Sequence, residues 1–509
     1  MRTVQEAFEA VETYSPAEEQ FNRRRRTLGL LLGPLVFLAV LALPMPALAP
    51  SAHRLAAILA LVGVLWVTEA LPMAVTALLG PVLAVILRVA PARAALASFS
   101  DPIIFLFIGS FMLAEAMFVH GVDRRIAYTA LSWPAVGNSG TRILVVYGAV
   151  AWALSMWISN TATTAMMFPI GLSIVGHLSK GSGRATGDVR KFAMAMMLIT
   201  AFGASVGGMA TPVGTPPNLI GIGLIERIEG IHIGFFSWMG IGIPVVLVLF
   251  AFLAVYFGLT CTRGVRAGEH SATLVEEELR RLGPLSTGER NVLAAFGVTV
   301  ALWLTPGVLV LVGAADSGFA RAYAAAVPEG VAAMIGAMLL FMAPVSWRAR
   351  RFTLTWDEAV RIDWGIVLLY GGGLALGELA FSTGLARAAG EALTAWLPSH
   401  TTFSLTVLFT GLAIGLSEAT SNTASANMIV PIAIAVADAS GVNAVQPALA
   451  ATLGASMGFM MPISTAPNAI VYSSGYIPIG QMMKYGLALD LTAFVTIVTA
   501  VTLLGPVLF

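Results

Sequence analysis

From Leu28 to Phe509 the chain alternates long apolar runs with short polar ones. Runs of about 17 to 25 residues, the length that crosses a hydrocarbon core as helix, lie near 28–48, 55–70, 73–91 and 102–119, and further spans lie at 191–226 (broken at 211–218), 234–260, 291–314, 327–344, 364–381, 446–477 (broken at 461–468) and 482–508. Two other apolar stretches, 142–178 and 387–437, carry the polar tripeptide Ser-Asn-Thr near or beyond their middle. Each reads as a re-entrant hairpin whose tip holds the tripeptide. The pattern predicts an all-α polytopic membrane protein of about 11 transmembrane helices plus two hairpins.

Composition agrees: 58% of residues are hydrophobic and 11% charged, which excludes a soluble globular domain. The first 27 residues are polar and end in Arg23–Arg26, so no signal peptide is read and the N-terminus is expected in the cytoplasm. Val4 to Tyr14 suits either a short surface helix or a disordered tail. Cys261 is the single cysteine, which excludes an intramolecular disulfide and a thiolate metal cluster. No basic patch interleaved with aromatics points to nucleic acid.

The placement of charge is more informative than its sum. Arg124, Arg125 and Arg142 precede the first hairpin, and Lys180, Arg184, Arg190 and Lys191 follow it, so both its ends are expected in the cytoplasm. Of the 28 Lys and Arg, only Arg54, Arg88, Arg93, Arg227, Arg321 and Arg387 fall on the expected outer side. The second hairpin then enters from outside, and the C-terminus ends there.

The tripeptides, Ser159-Asn160-Thr161 and Ser421-Asn422-Thr423, are separated by 262 residues. Each has a serine four residues upstream, Ser155 and Ser417, and each is followed by a polar break, Thr211-Pro-Val-Gly-Thr-Pro-Pro-Asn218 or Met461-Pro-Ile-Ser-Thr-Ala-Pro-Asn468. Asp101 to Gly109 aligns with Asp363 to Gly371 at the same offset of 262, and Glu115 with Glu378 at 263. An odd number of crossings per offset makes this an inverted repeat. The expected organisation is a cytoplasmic segment 1–27, a first helix 28–52 outside the repeat, a first repeat 53–261 with its broken helix at 191–226, a cytoplasmic linker 262–290, and a second repeat 291–509 broken at 446–477.

A hairpin tip at membrane depth frees backbone groups. A helix starting after Asn160 or Asn422 offers amides and a positive end to an anion, while the preceding arm ends in carbonyls that suit a small cation. Ser155 and Ser159, like Ser417 and Ser421, are spaced to share a helical face. With carbonyls from Gly214 or Ser464 they make a hard, neutral oxygen set suited to sodium. Pro212, Pro216 and Pro217 prevent helix through the first break and give the tip an opposing wall.

This arrangement resembles the divalent anion/sodium symporter family of di- and tricarboxylate carriers, over nearly the whole chain from Leu28 to Phe509. The resemblance implies substrate contacts at Ser159, Asn160, Thr161, Thr215, Ser421, Asn422, Thr423 and Thr465. It implies sodium at Ser155, Ser159, Asn160 and Gly214, and at Ser417, Ser421, Asn422 and Ser464. It also implies a homodimer in the cytoplasmic membrane, with a fixed scaffold domain and a transport domain that moves by an elevator motion. Sodium is then co-transported, and no organic cofactor or nucleic acid is expected. Ala466 departs from the pattern, standing where the first break has Pro216.

The expected activity is sodium-coupled symport of a small dianion, a C4-dicarboxylate such as succinate, fumarate or malate, with no enzymatic activity. Within the family, citrate, sulfate and sodium-independent exchange stay open; outside it, the alternatives are a channel and an intramembrane hydrolase. No His-Glu-x-x-His and no serine-base pair supports the hydrolase. The six histidines, His53, His120, His177, His232, His270 and His400, map to loops or membrane edges. Glu115 and Glu378 read as structural, and Asp101 and Asp363 as helix caps. Asp490 is a further intramembrane carboxylate, while Glu418 either turns the second tip's potential toward cations or faces an outer vestibule. Gly371-Gly372-Gly373 reads as a close-packing or kink site, and no basic residue is expected near either tip.

Overall fold

The computed structural model describes residues 16–134, 136–137, 139–181, 187–262, 269–396 and 400–509. The segment Val4 to Tyr14 lies outside them, as do Arg184 and the side chains of His177, Lys180 and His270. The helices are α1 (Pro16–Ala42), α2 (Pro50–Thr68), α3 (Met73–Ile86), α4 (Pro102–His120), α5 (Val122–Leu131), α6 (Gly140–Ser155), α7 (Asn160–Gly181), α8 (Gly187–Gly208), α9 (Pro216–Glu229) and α10 (Phe235–Cys261). They continue as α11 (Glu269–Leu282), α12 (Thr287–Leu311), α13 (Glu329–Met342), α14 (Trp364–Ser382), α15 (Leu385–Thr394), α16 (Thr402–Ala419), α17 (Asn422–Ala439), α18 (Val445–Gly454), α19 (Ala466–Tyr472) and α20 (Ile479–Leu508). Shorter helical pieces at Ala92–Ala95, Ala97–Ser100, Gly318–Ala326 and Trp356–Ala359, and a small strand pair, Pro344–Ser346 with Arg351–Phe352, complete the chain.

Among the described residues, nine helices are long and apolar enough to cross a membrane, and the pair Gly318–Ala326 and α13, bent by 64°, makes a tenth candidate. The expected crossing at 446–477 does not count by length because α18 and α19 are separated by unwound chain from Ala455 to Thr465. The first hairpin is α6 and α7. The second begins at Thr402 rather than near 387, because α15 is a separate amphipathic helix with its Arg387 and Glu391 paired on an exposed face at 2.8 Å.

The expected caps form: Asp101 accepts from Ile103 N at 2.9 Å and Asp363 from Ile366 N at 3.3 Å. The glycine run in α14 packs closely, as expected. A Cβ on Gly372 would fall 2.3 Å from Ala77 O, and one on Gly373 would fall 1.7 Å from Asn427 Oδ1 on α17. Helix α8 runs through the large core, with Phe192, Met196, Leu198, Ile199 and Phe202 all fully buried. Its C-terminal end is thereby fixed beside the first hairpin, where a Cβ on Gly207 would fall 2.0 Å from Trp152 O.

Candidate functional site

Both hairpins stop short of their tips in the same way. Helix α6 ends at Ser155 and α7 starts at Asn160; α16 ends at Ala419 and α17 starts at Asn422. Ser159 Oγ then accepts from Ala162 N at 3.2 Å, and Ser421 Oγ from Ala424 N at 3.3 Å, the geometry of N-caps. This corrects the expectation that each serine pair shares a helical face, since Ser159 and Ser421 lie beyond the ends of their arms. The upstream serines instead reach across the turn: Ser155 Oγ donates to Asn160 Oδ1 at 2.7 Å, and Ser417 Oγ to Asn422 Oδ1 at 2.7 Å. Each asparagine is thus fixed with its oxygen toward the arm.

The breaks repeat a second device. Asn218 Nδ2 donates to Gly208 O at 3.0 Å and Thr211 O at 2.8 Å, while Asn468 Nδ2 donates to Gly458 O at 2.9 Å and Met461 O at 3.0 Å. Each Pro-Asn asparagine therefore satisfies carbonyls that the unwound segment leaves free. Both are fully buried. Trp238 Nε1 also donates to Met209 O at 3.0 Å, and Thr211 Oγ1 to Met156 O, tying the first break to the first tip. Trp157, in the turn, stacks on Phe235, which stacks on Trp303 at 4.6 Å.

One cavity of about 370 Å³ lies between these elements. It is lined by Ser159, Asn160 and Thr161 from the first tip, Ser421, Asn422 and Thr423 from the second, Thr215 from one break, and Ser464 and Thr465 from the other. All eight residues expected to contact substrate therefore meet in one place. Of the expected sodium positions, Ser155, Ser417 and Gly214 do not line the cavity; they stand behind the tips, with both serines fully buried. The N-terminal ends of α7 and α17, with their free first-turn amides, converge on the cavity, an arrangement suited to anionic groups at two ends.

The wall also holds residues that sequence reasoning missed: Phe111, Asp123, Thr163, Ser205 and Arg361. Arg361 corrects the expectation that no basic residue lies near the tips. It is outnumbered there by Glu115, Asp123 and Asp363, so the lining carries no surplus positive charge to meet a dianion. Asp123, on the short α5, is 3% exposed, and burial pushes its carboxyl up to about 6.

Glu418 is 8% exposed and faces no vestibule. Its Oε1 accepts from Phe459 N and from Met460 N at 2.8 Å, and its Oε2 from Ser464 Oγ at 3.1 Å, so it ties the second tip to the second break. Asp490 is buried against it from α20.

Away from the cavity, Glu378 pairs with Arg227 and accepts from Ser98 Oγ at 3.0 Å, the structural role expected of it. His232, between α9 and α10, lies 3.0 Å from Glu226 Oε1 and 3.5 Å from Glu329 Oε1. Hydrogen bonds to Glu226 and then Glu329 raise its pKa from 6.5 to about 10. A pKa raised on folding stabilises fully below the unfolded value. The contribution therefore begins to fall above pH 6.5 and is gone once pH passes about 10. Thermal unfolding between pH 6 and 10 should show this decline, and His232→Gln should flatten it; because the ring is largely exposed, the effect is small.

The fold and the paired tips define a multi-pass membrane transporter. The profile of the sodium:sulfate symporter transmembrane region matches residues 24–509, and the chain belongs to that family, as the tips and breaks led us to expect. Curated relatives include the sodium-dependent dicarboxylate transporter SdcS of Staphylococcus saprophyticus, 32% identical over 484 residues, covering 94% of this chain and 91% of the relative. SdcS of Staphylococcus aureus is 32% identical over 485 residues, with the same coverage. Among solved structures, the YdaH transporter of Alcanivorax borkumensis has a TM-score of 0.52 at 13% identity, covering 80% of this chain and 85% of that one. MtrF of Neisseria gonorrhoeae has a TM-score of 0.53 at 11% identity, covering 83% and 84%. These two likenesses concern the fold alone.

Proposed function

We propose that this protein is a secondary active transporter that carries a C4-dicarboxylate, such as succinate, fumarate or malate, together with sodium across the cytoplasmic membrane. The observation that carries the reading is the pairing of two Ser-Asn-Thr tips around one cavity, each with its asparagine held by an upstream serine at 2.7 Å. Asn160, Thr161, Asn422 and Thr423, with Ser159, Ser421, Thr215 and Thr465, hold the two carboxylates. Sodium ions bind at Ser155, Ser159, Asn160 and the Gly214 carbonyl, and at Ser417, Ser421, Asn422 and the Ser464 carbonyl. Their charge offsets the dianion, since acids outnumber bases along the cavity. The SdcS relatives, named as sodium-dependent dicarboxylate transporters, support both the coupling ion and the substrate class.

The halves form an inverted repeat, with the N-terminus cytoplasmic and the C-terminus outside. The protein works as a homodimer, and its tips and breaks move together past a fixed scaffold. Asp123 and Arg361, which line the cavity, belong to segments that the charge pattern assigns to the cytoplasm, which supports an inward-open state. Sodium-independent exchange is disfavoured because both serine-asparagine sets are intact.

The test is uptake of labelled succinate into proteoliposomes. An inward sodium gradient should drive accumulation, and replacing sodium with choline should abolish it. Uptake that proceeds equally without sodium would remove the symport reading in favour of exchange.

A further inference from the structure

Two carboxylates meet inside the membrane with no base beside them. Asp490, on α20, is 4% exposed and touches the Glu418 carboxylate, yet neither of its oxygens meets a donor among the described residues. Glu418 is the opposite case, since its oxygens accept from Phe459 N, Met460 N and Ser464 Oγ. Helix α20 packs on α10, α16 and α18. Neither α10, α18 nor the break from Ala455 to Thr465 carries an acid, a lysine or an arginine, and Glu418 is the one charged residue of α16. The titratable Tyr256 and Cys261 of α10 both lie against Tyr485, more than a turn before Asp490, and Lys484 lies over that same ring at 5.9 Å. Two facing acceptors in an apolar interior need a positive charge between them.

The first half builds the same joint without acids. A Cβ on Gly486 would fall 2.6 Å from Phe459 O, and one on Gly242 of α10 would fall 2.7 Å from Met209 O, so α20 and α10 ride on equivalent residues of the two breaks. Counting on from those glycines, Val246 takes the place of Asp490, and the offset of 262 sets Met156 against Glu418. Val246 is fully buried. The architecture therefore closes with apolar side chains at these two positions, and buried charged groups are often replaced by such residues at no loss of stability. Acids at both positions in the second half alone point to a ligand rather than to a demand of the fold.

We infer that Asp490 is a proton site: it stands in the second half as a carboxylic acid whose O–H donates to the Glu418 carboxylate. A carboxylic acid supplies the donor that this contact lacks. A metal ion would need space, and both Asp490 oxygens are sealed from solvent, whereas a proton needs none. Glu418 stays ionised, held by its other three donors, with its charge one residue from Ser417. The inference rests on the sodium reading above only for the place of the second-tip ion. The Asp490 proton draws on the same carboxylate whose charge favours sodium at that tip, so proton and sodium oppose each other there. When Asp490 gives up its proton, a second negative charge is added beside the tip and sodium binds more tightly.

The test is thermal unfolding of the purified full-length protein in detergent without substrate, titrated with sodium against choline at about pH 7 and about pH 10. The wild-type protein should need about tenfold less sodium for half of its stabilisation at the higher pH. Asp490→Asn, which keeps a donor to Glu418 and has no proton to lose, should need the same sodium at both. Asp490→Ser, a smaller donor that also does not titrate, takes its place should that variant not fold. His232 titrates over the same range in every one of these proteins, so the comparison isolates Asp490. A wild-type requirement that does not move with pH, or one that moves equally in the variants, overturns the inference and leaves sodium symport standing. Stabilisation by sodium at neither pH removes the sodium reading and the inference with it.

Discussion

Gly208→Ala should reduce sodium-driven uptake by about 100-fold, equivalent to roughly 3 kcal/mol, while leaving the protein folded. Gly208 ends α8 at the first break, and a Cβ built on it would fall 2.2 Å from Asn160 Oδ1 and 3.1 Å from Gly214 O. No contact at 2.2 Å survives, so something moves. The backbone of α8 is buried in the core, and the asparagine is the softer partner. Its displacement breaks the 2.7 Å bond from Ser155 and shifts the residue expected to serve both substrate and sodium. Overpacking of this kind costs typically 1–3 kcal/mol of stability, which a polytopic protein with so large a core tolerates. Gly203→Ala, on the same helix, meets only Gly148 O at 3.3 Å and serves as the control. Equal uptake by the two variants at matched thermal stability would show that Gly208 does not position the tip.

The spans and tips were legible from sequence because lipid tolerates few uncompensated polar groups. Any tripeptide such as Ser159-Asn160-Thr161 inside apolar chain must therefore be sheltered by protein. The upstream serines were legible as partners but not in their geometry. Periodicity assumes that the helix continues, whereas α6 ends at Ser155 and the bond runs across a turn to Asn160. Gly208 and Gly458, which carry the carbonyls held by Asn218 and Asn468, carry no mark in the sequence, because only the fold brings each asparagine back over its own break. Arg361 lies far from either tip in sequence and reaches the cavity through the packing of α4 and α14 beside the hairpins.

Glu418 separates the structural from the electrostatic demands of the second half, and its two substitutions should fail differently. In Glu418→Ala, the amides of Phe459 and Met460 lose their acceptor together, while the Ser464 hydroxyl keeps only its bond to the backbone carbonyl of residue 418 at 3.1 Å. Each buried donor left unmet costs about 1–3 kcal/mol, and because both amides lie on one unwound segment the losses should appear as one collapse of that break. Uptake should vanish, and the apparent unfolding temperature should fall by several degrees. Glu418→Gln keeps an oxygen for the two amides and an amine that can donate to Ser464 Oγ, so it should fold. What it removes is a negative charge one residue from Ser417 and three from Ser421. If that charge draws sodium to the second tip, half-maximal uptake should need about tenfold more sodium, equivalent to about 1.4 kcal/mol, with the maximal rate largely kept. An unchanged sodium requirement in Glu418→Gln would leave Glu418 as a pure tether between tip and break. An alanine variant as stable as wild type would instead show that the three hydrogen bonds do not hold the break in place.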